Sequence, residues 1–380
     1  MSTMVSPAVS AGYHHYNDYY YPSGDSIIRV ENTLFKIHKF PLVHNSAVFA
    51  SMFELPSGDG NPEGLSDELP IVLEGETAED FRAVVKYIYA PPIQVQIQSI
   101  PAAALPEMIS VARFSHKYAM DHWRSWALKV IGLHVTNLDL LPKEYLQPLY
   151  SLFILLEVGP STRARILKRW CDMVEKNNLS IIPVLAAADA GEDREGLVAV
   201  YCIEIRRWEK GASTSAQTLT RNGVSQIHFQ RMHSGHTSLT LAWNRFRTHE
   251  PPAMFQGTHC AGGGSAEYHT TRCIPYSRTQ WVEAIVDAER VYPHVTQIAS
   301  RLSHVGKRLQ KNNMDASTLK MATCFDAVIK RFNYHVQEPD TSLENHFFPC
   351  ELDSTESLRR KQSVRFSRTL EVQLVPSTGH

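Results

Sequence analysis

Two short runs near the start of the chain, Ser26-Ile27-Ile28-Arg29-Val30 and Thr33-Leu34-Phe35-Lys36-Ile37, are dense in β-branched and aromatic residues. Glu31 and Asn32 lie between them as turn chemistry, so the pair predicts a two-residue hairpin. From Pro41 to Phe53 the apolar positions 42, 48, 49, 52 and 53 fit short helices, with Ser46 a candidate cap. Residues 56–70 break any period with Pro, Gly and carboxylates, and Leu69 to Leu73 reads as a brief strand. Thr77-Ala78-Glu79-Asp80 has the form of an N-cap with an acidic first turn. It opens a helix through Phe81, Val84, Val85, Ile88 and Tyr89, which Ala90-Pro91-Pro92 ends. Over 105–131, Leu105, Ile109, Ala112, His116, Ala119, Trp123, Trp126 and Val130 recur at steps of 4 and 3, a single helical stripe. Helical patterns then cover roughly 143–157, 161–176, 180–189 and 194–210 without a strand signal between them.

At Gly211 the pattern changes. Residues 211–275 are rich in Ser, Thr, Gly, His and Pro and predict an irregular region with one short helical piece, Ser238 to Phe246. Helical periodicity returns at 277–291, 295–310 and 315–332. The first 22 residues, rich in Tyr, Ser and His, show no period and are expected to lack regular structure, although Tyr19, Tyr20 and Tyr21 could pack locally. Beyond Pro339 the chain is polar, and a tail with Arg359, Arg360, Lys361, Arg365 and Arg368 is expected to stay disordered. That basic stretch reads as a solvated tail ahead of a nuclear signal or kinase site. No internal repeat is found.

Residues 24–90 resemble a BTB/POZ domain. Asp25 to Val30 resembles the family's opening strand, and Phe35-Lys36-Ile37-His38-Lys39 followed by Leu42 resembles its "F-x-x-H-[KR]-x-x-L" passage into the first core helix. Ser46 to Phe53 resembles "S-x-x-F-x-x-M-F". Ile71-Val72-Leu73, Phe81 and Val84 to Tyr89 resemble the third strand and the helix after it. The resemblance implies an α+β domain, a small sheet capped by helices, followed here by a mainly α-helical C-terminal region. The resulting division is a disordered segment 1–22, a BTB/POZ domain 23–131, a helical extension 132–210, an irregular region 211–275, helices 276–340 and a disordered tail 341–380. The extension, with Ala112-Arg113-Phe114-Ser115-His116-Lys117-Tyr118-Ala119-Met120, loosely resembles that of BTB proteins of filamentous and mushroom-forming fungi.

The resemblance also implies a role: a non-enzymatic adaptor that recruits other proteins and self-associates as a homodimer. Asp25 and Lys39 occupy positions that form a charged pair under the family's dimer surface, and Phe35, Phe49 and His38 stand at its core and strand positions. A structural ion pair, and a structural histidine, are the plainer readings of the two charges and of His38. Two departures stand out. Residues 1–22 lack the amphipathic helix that swaps across many family dimers. The "hydrophobic-x-Glu" motif of members that recruit the cullin scaffold has only Leu65-Ser66-Asp67 as its nearest match, so cullin recruitment is permitted but unsupported.

Composition narrows the classes further. With 380 residues the chain calls for two or three domains. Lys+Arg 38 against Asp+Glu 39 leaves a net charge of −1, which disfavours nucleic acid as the main partner. No apolar run approaches the length of a membrane span, and Leu152 to Leu156, for example, stops at Glu157, so no span is expected. The N-terminus lacks a basic region followed by an apolar one, and six dispersed Cys do not form a disulfide framework. An intracellular protein, cytoplasmic or nuclear, with mostly free thiols is expected.

One window carries candidate metal chemistry. Residues 228–273 hold His228, His233, His236, His249, His259 and His269, with Cys260 and Cys273. His269 and Cys273 stand one helical turn apart, and thiolate with imidazole suits tetrahedral zinc. The candidate set is Cys260, His269 and Cys273 with His259 or His236 fourth, a structural zinc; the competing reading is a His-rich polar loop binding nothing. The spacing matches no recognised finger, and Gly262-Gly263-Gly264 is no phosphate loop. Ser110, His116, Asp121 and His122 do not assemble into a triad from sequence. Beside the adaptor stand a zinc-stabilised regulator linked to transcription or ubiquitin ligation, and a metal-dependent enzyme in the C-terminal half.

Overall fold

The computed structural model describes residues 12–54, 63–211, 223–248, 264–318, 322–336 and 342–348. The chain divides into two compact units, Met1–Asn177 and Asn178–His380. The boundary falls inside the stretch expected as one helical extension, so the helices up to Lys176 belong with the N-terminal unit.

That unit is built on a four-stranded sheet of order β1-β3-β2-β4. The predicted hairpin is present: β2 (Ser26–Val30) pairs antiparallel with β3 (Thr33–Ile37), from Ser26↔Ile37 to Val30↔Thr33. Glu31 turns the corner with φ 53°, a conformation costly for a residue with a Cβ. Its carboxylate reaches out of the turn to accept the Ala78 N–H at 2.9 Å, at the start of α3 (Ala78–Ile88). Thr77 caps α3 as its sequence suggests, accepting the Asp80 N–H. The third strand of the sequence pattern is short: β4 (Ile71–Val72) runs parallel to β2.

The N-terminal segment departs from expectation. Residues 14–20, expected to lack regular structure, form β1 (His14–Tyr20), parallel to β3 at the sheet edge. Tyr is a good strand former, but these residues do not alternate cleanly, and tertiary contacts decide the outcome. Tyr16 stacks on Phe35 at 5.4 Å, His14 bonds Thr33, and Tyr13 both hydrogen-bonds Arg29 and lies under its guanidinium.

α1 (Lys39–Asn45) and α2 (Ala47–Glu54) follow the hairpin, with Ser46 between them. The stripe predicted as one helix over 105–131 is broken into α4 (Leu105–Lys117) and α5 (Asp121–His134). The break is a Schellman turn: Ala119 has φ 52°, its N–H bonds His116 C=O, and Met120 N–H bonds Ser115 C=O. Alanine stands where glycine is usual, so periodicity could not mark the break. Phe35, Phe49 and Phe81 are fully buried, linked through Phe114 in one aromatic core. Tyr89 lies at its rim, 5.2 Å from Tyr21 and bonded to His38. α6 (Leu146–Leu155) and α7 (Pro160–Lys176) complete the unit, α6 packing on α4.

Every regular element described in the second unit is helical. α8 (Ile182–Ala190) and α9 (Arg194–Glu209) match the sequence pattern. The region expected to be irregular instead carries α10 (Gln226–Thr248), whose buried side is His228, Met232, Gly235, Leu239 and Trp243. That stripe has the 3-and-4 spacing of a helix but mixes His and Gly with apolar residues, which masks it in a hydrophobicity pattern. A short helical turn Ala266–Tyr268 and a π-helical turn His269–Cys273 lead into α11 (Ile274–Val291). α12 (Ile298–Thr318) and α13 (Ala322–Val336) follow, packed in succession. Part of the expected tail is also ordered: α14 (Leu343–Phe347) buries His346 and Phe347, and Phe348 is buried just after it. Phe347 meets Tyr201 of α9 at 5.4 Å and lies against Gly235 of α10. Among the described residues no helix is long and apolar enough to cross a membrane.

Candidate functional site

Two groups of residues could carry function, one in each unit. In the first, the strand-to-helix passage after β3 sets the outer surface. Asp25 and Lys39 meet there, and the Asp25 carboxylate accepts the backbone N–H of Lys39 at 2.7 Å. Lys39 is the first residue of α1, so Asp25 satisfies an orphan donor and places negative charge at a helix N-terminus. His38 is held on both ring nitrogens, Nδ1 3.0 Å from Tyr89 Oη and Nε2 3.3 Å from Ser23 Oγ, while its backbone N–H donates to Tyr89 Oη. Phe35 and Phe49 are fully buried. Their contribution to any partner surface is therefore indirect: they hold the shape on which it is displayed.

The residues this scaffold leaves outside are different ones. Phe40 on α1 is 70% exposed and Val48 on α2 38%. Leu65 in the cullin-like tripeptide is 65% exposed, whereas Asp67 is occupied within the chain. His15 Nε2 lies 2.7 Å from Asp67, and Tyr20 Oη donates to it at 2.5 Å. Burial pushes the Asp67 carboxyl up, but the hydrogen bonds from Tyr20 and His15 outweigh it and hold it below its ordinary range. The same burial and hydrogen bond push the Tyr20 hydroxyl up to about 12. Ser110, one member of the rejected triad, bonds Asp80.

In the second unit the histidines of the 228–273 window separate. His228 is buried, Nδ1 2.7 Å from Tyr201 Oη and Nε2 3.3 Å from Asp189. The His233 ring lies tilted against Trp208, with ring centroids 4.9 Å apart. His236, one candidate for the fourth metal ligand, faces Glu209 at 3.4 Å instead, because α10 carries it to the α9 side. His249, His259 and Cys260 lie outside the described residues.

His269 and Cys273 do converge, and a third donor joins them: Cys324, in the first turn of α13. The three ligand atoms all lie within 4.8 Å of one another. His269 Nδ1 is 3.6 Å from Cys324 Sγ, and the three residues are 6%, 0% and 3% exposed. The π turn helps aim the first two. Pro275 follows it, lacks an N–H, and in an α-helical turn would crowd the carbonyl of Thr271. The chain widens instead, Ile274 N–H bonding His269 C=O, a device often found at functional sites. Cys324 was missed because it stands 51 positions after Cys273 in an ordinary amphipathic helix; its only mark in the sequence is being a cysteine on a buried face.

Residues 23–124 match the family model described as the BTB/POZ domain. With the sheet, the helices and their closed aromatic core in place, the N-terminal unit carries a BTB/POZ domain, and such domains are non-enzymatic modules for protein–protein interaction that often dimerise. Comparison with curated proteins gives no match, and comparison with solved structures gives none either.

Proposed function

We propose that the protein is a non-enzymatic adaptor: its BTB/POZ domain holds partner proteins and a second copy of the chain, and its helical second unit presents a separate surface. The observation that supports this reading most is the BTB/POZ match lying on a closed core that leaves large apolar side chains, Phe40 above all, in solvent. An exposed aromatic on a rigid helix is the kind of anchor that dominates protein interfaces. A net charge of −1 favours polypeptide partners over nucleic acid.

The test uses the full chain and Phe40→Glu. Light scattering at tens of micromolar is expected to give a dimer for the native chain. Phe40→Glu, with an unchanged melting temperature, is expected to weaken self-association or a defined subset of captured partners by about tenfold or more. A native chain that stays monomeric, together with a partner set the variant does not alter, would sink the reading.

A further inference from the structure

We propose that His269, Cys273 and Cys324 bind one zinc(II) ion, which ties the turn leading into α11 to the start of α13. The inference is independent of the adaptor role and stands or falls on its own observations.

Geometry supports it first. Zinc bonds of about 2.3 Å to sulfur and about 2.0–2.1 Å to nitrogen, at a tetrahedral angle, put the two donor atoms about 3.6 Å apart. His269 Nδ1 and Cys324 Sγ are 3.6 Å apart, and Cys273 Sγ lies within 4.8 Å of both. A small contraction of that third donor closes the triangle on a single ion. Chemistry supports it next. Two thiolates and an imidazole form a donor set that selects zinc over calcium or magnesium, which take oxygen. Cys324 sits in the first turn of α13, which fixes its sulfur against the turn that carries His269 and Cys273. The site is buried, so the ion would be structural, joining segments 51 positions apart in sequence and closing a long loop. Among the described residues the site offers three protein donors, and a tetrahedral zinc takes one ligand more.

The test is metal analysis of the full chain, purified in reductant without chelator. About one zinc per chain is expected, with cobalt(II) substitution giving thiolate-to-metal charge-transfer absorption. Chelation is expected to lower the melting temperature on the order of 10 °C. Cys324→Ser and Cys273→Ser should each cut zinc content severalfold, while Cys202→Ser, a buried thiol on α9 outside the cluster, should not. Because a ligand variant could fail to fold, the cobalt spectrum of the native chain is the independent measurement. Zinc-free protein without thiolate–cobalt bands, zinc retained in both Ser variants, or a Cys273–Cys324 disulfide in place of metal would each overturn the proposal.

Discussion

Ser46 joins two helix ends through one hydroxyl, and removing that hydroxyl has a cost that can be worked out. Its Oγ accepts the Phe49 N–H at 3.0 Å, capping α2 at N3, and donates to the Tyr118 carbonyl at 2.5 Å. Tyr118 is the C-cap of α4, so that carbonyl is among the acceptors a helix end leaves open. Ser46 is 2% exposed, which keeps water from replacing it. Ser46→Ala removes a cap worth about 1 kcal/mol. It also strands a carbonyl shielded by the core, at about 1–3 kcal/mol. The expected total is about 2–4 kcal/mol, or roughly 5–15 °C in the melting of the N-terminal unit. Differential scanning calorimetry suits the measurement, because the second unit's transition serves as an internal reference. A loss below about 0.5 kcal/mol would refute the argument that this one hydroxyl couples α2 to the α4–α5 turn.

Further expectations concern each unit. Gly235→Ala would drive a Cβ into the Phe347 ring, costing about 1–3 kcal/mol by overpacking; combined with Phe347→Ala, the loss should be clearly less than the sum of the two, read from chemical denaturation. Burial pushes the Asp80 carboxyl up, but hydrogen bonds from Ser110, Thr77 and Arg113 hold it below its ordinary value. A depressed folded-state pKa stabilises above the unfolded value of about 3.9 and is lost as pH falls through the folded one. The N-terminal unit should therefore lose stability as pH drops below about 4, and Asp80→Asn should flatten that part of the profile; an unchanged acid limb in the variant would contradict the assignment.

How much of this was legible in the chain depended on whether the deciding interaction was local. The β2–β3 hairpin, the Thr77 cap and the Ser46 cap are written within a few residues, since turn chemistry and capping act over one to four positions. The core Phe residues were legible as well, because they recur at helix and strand periods and match the BTB/POZ pattern. β1 was not: its order comes from Phe35, Thr33 and Asp67, none of them local to it. The α4–α5 break was hidden because alanine takes the left-handed turn position. α10 was hidden because its buried side includes His228 and Gly235, whose partners Tyr201 and Phe347 lie on other helices.

The candidate metal centre shows the same division. Sequence alone placed His269 and Cys273 one turn apart on a single segment, since an i, i+4 relation is a property of the local helix. Only tertiary structure brought Cys324 to them and carried His236 away to Glu209. Pairing residues 51 apart requires the intervening α11 and α12 to pack back on themselves, and that packing follows from buried surface summed over whole helices, which no short spacing encodes.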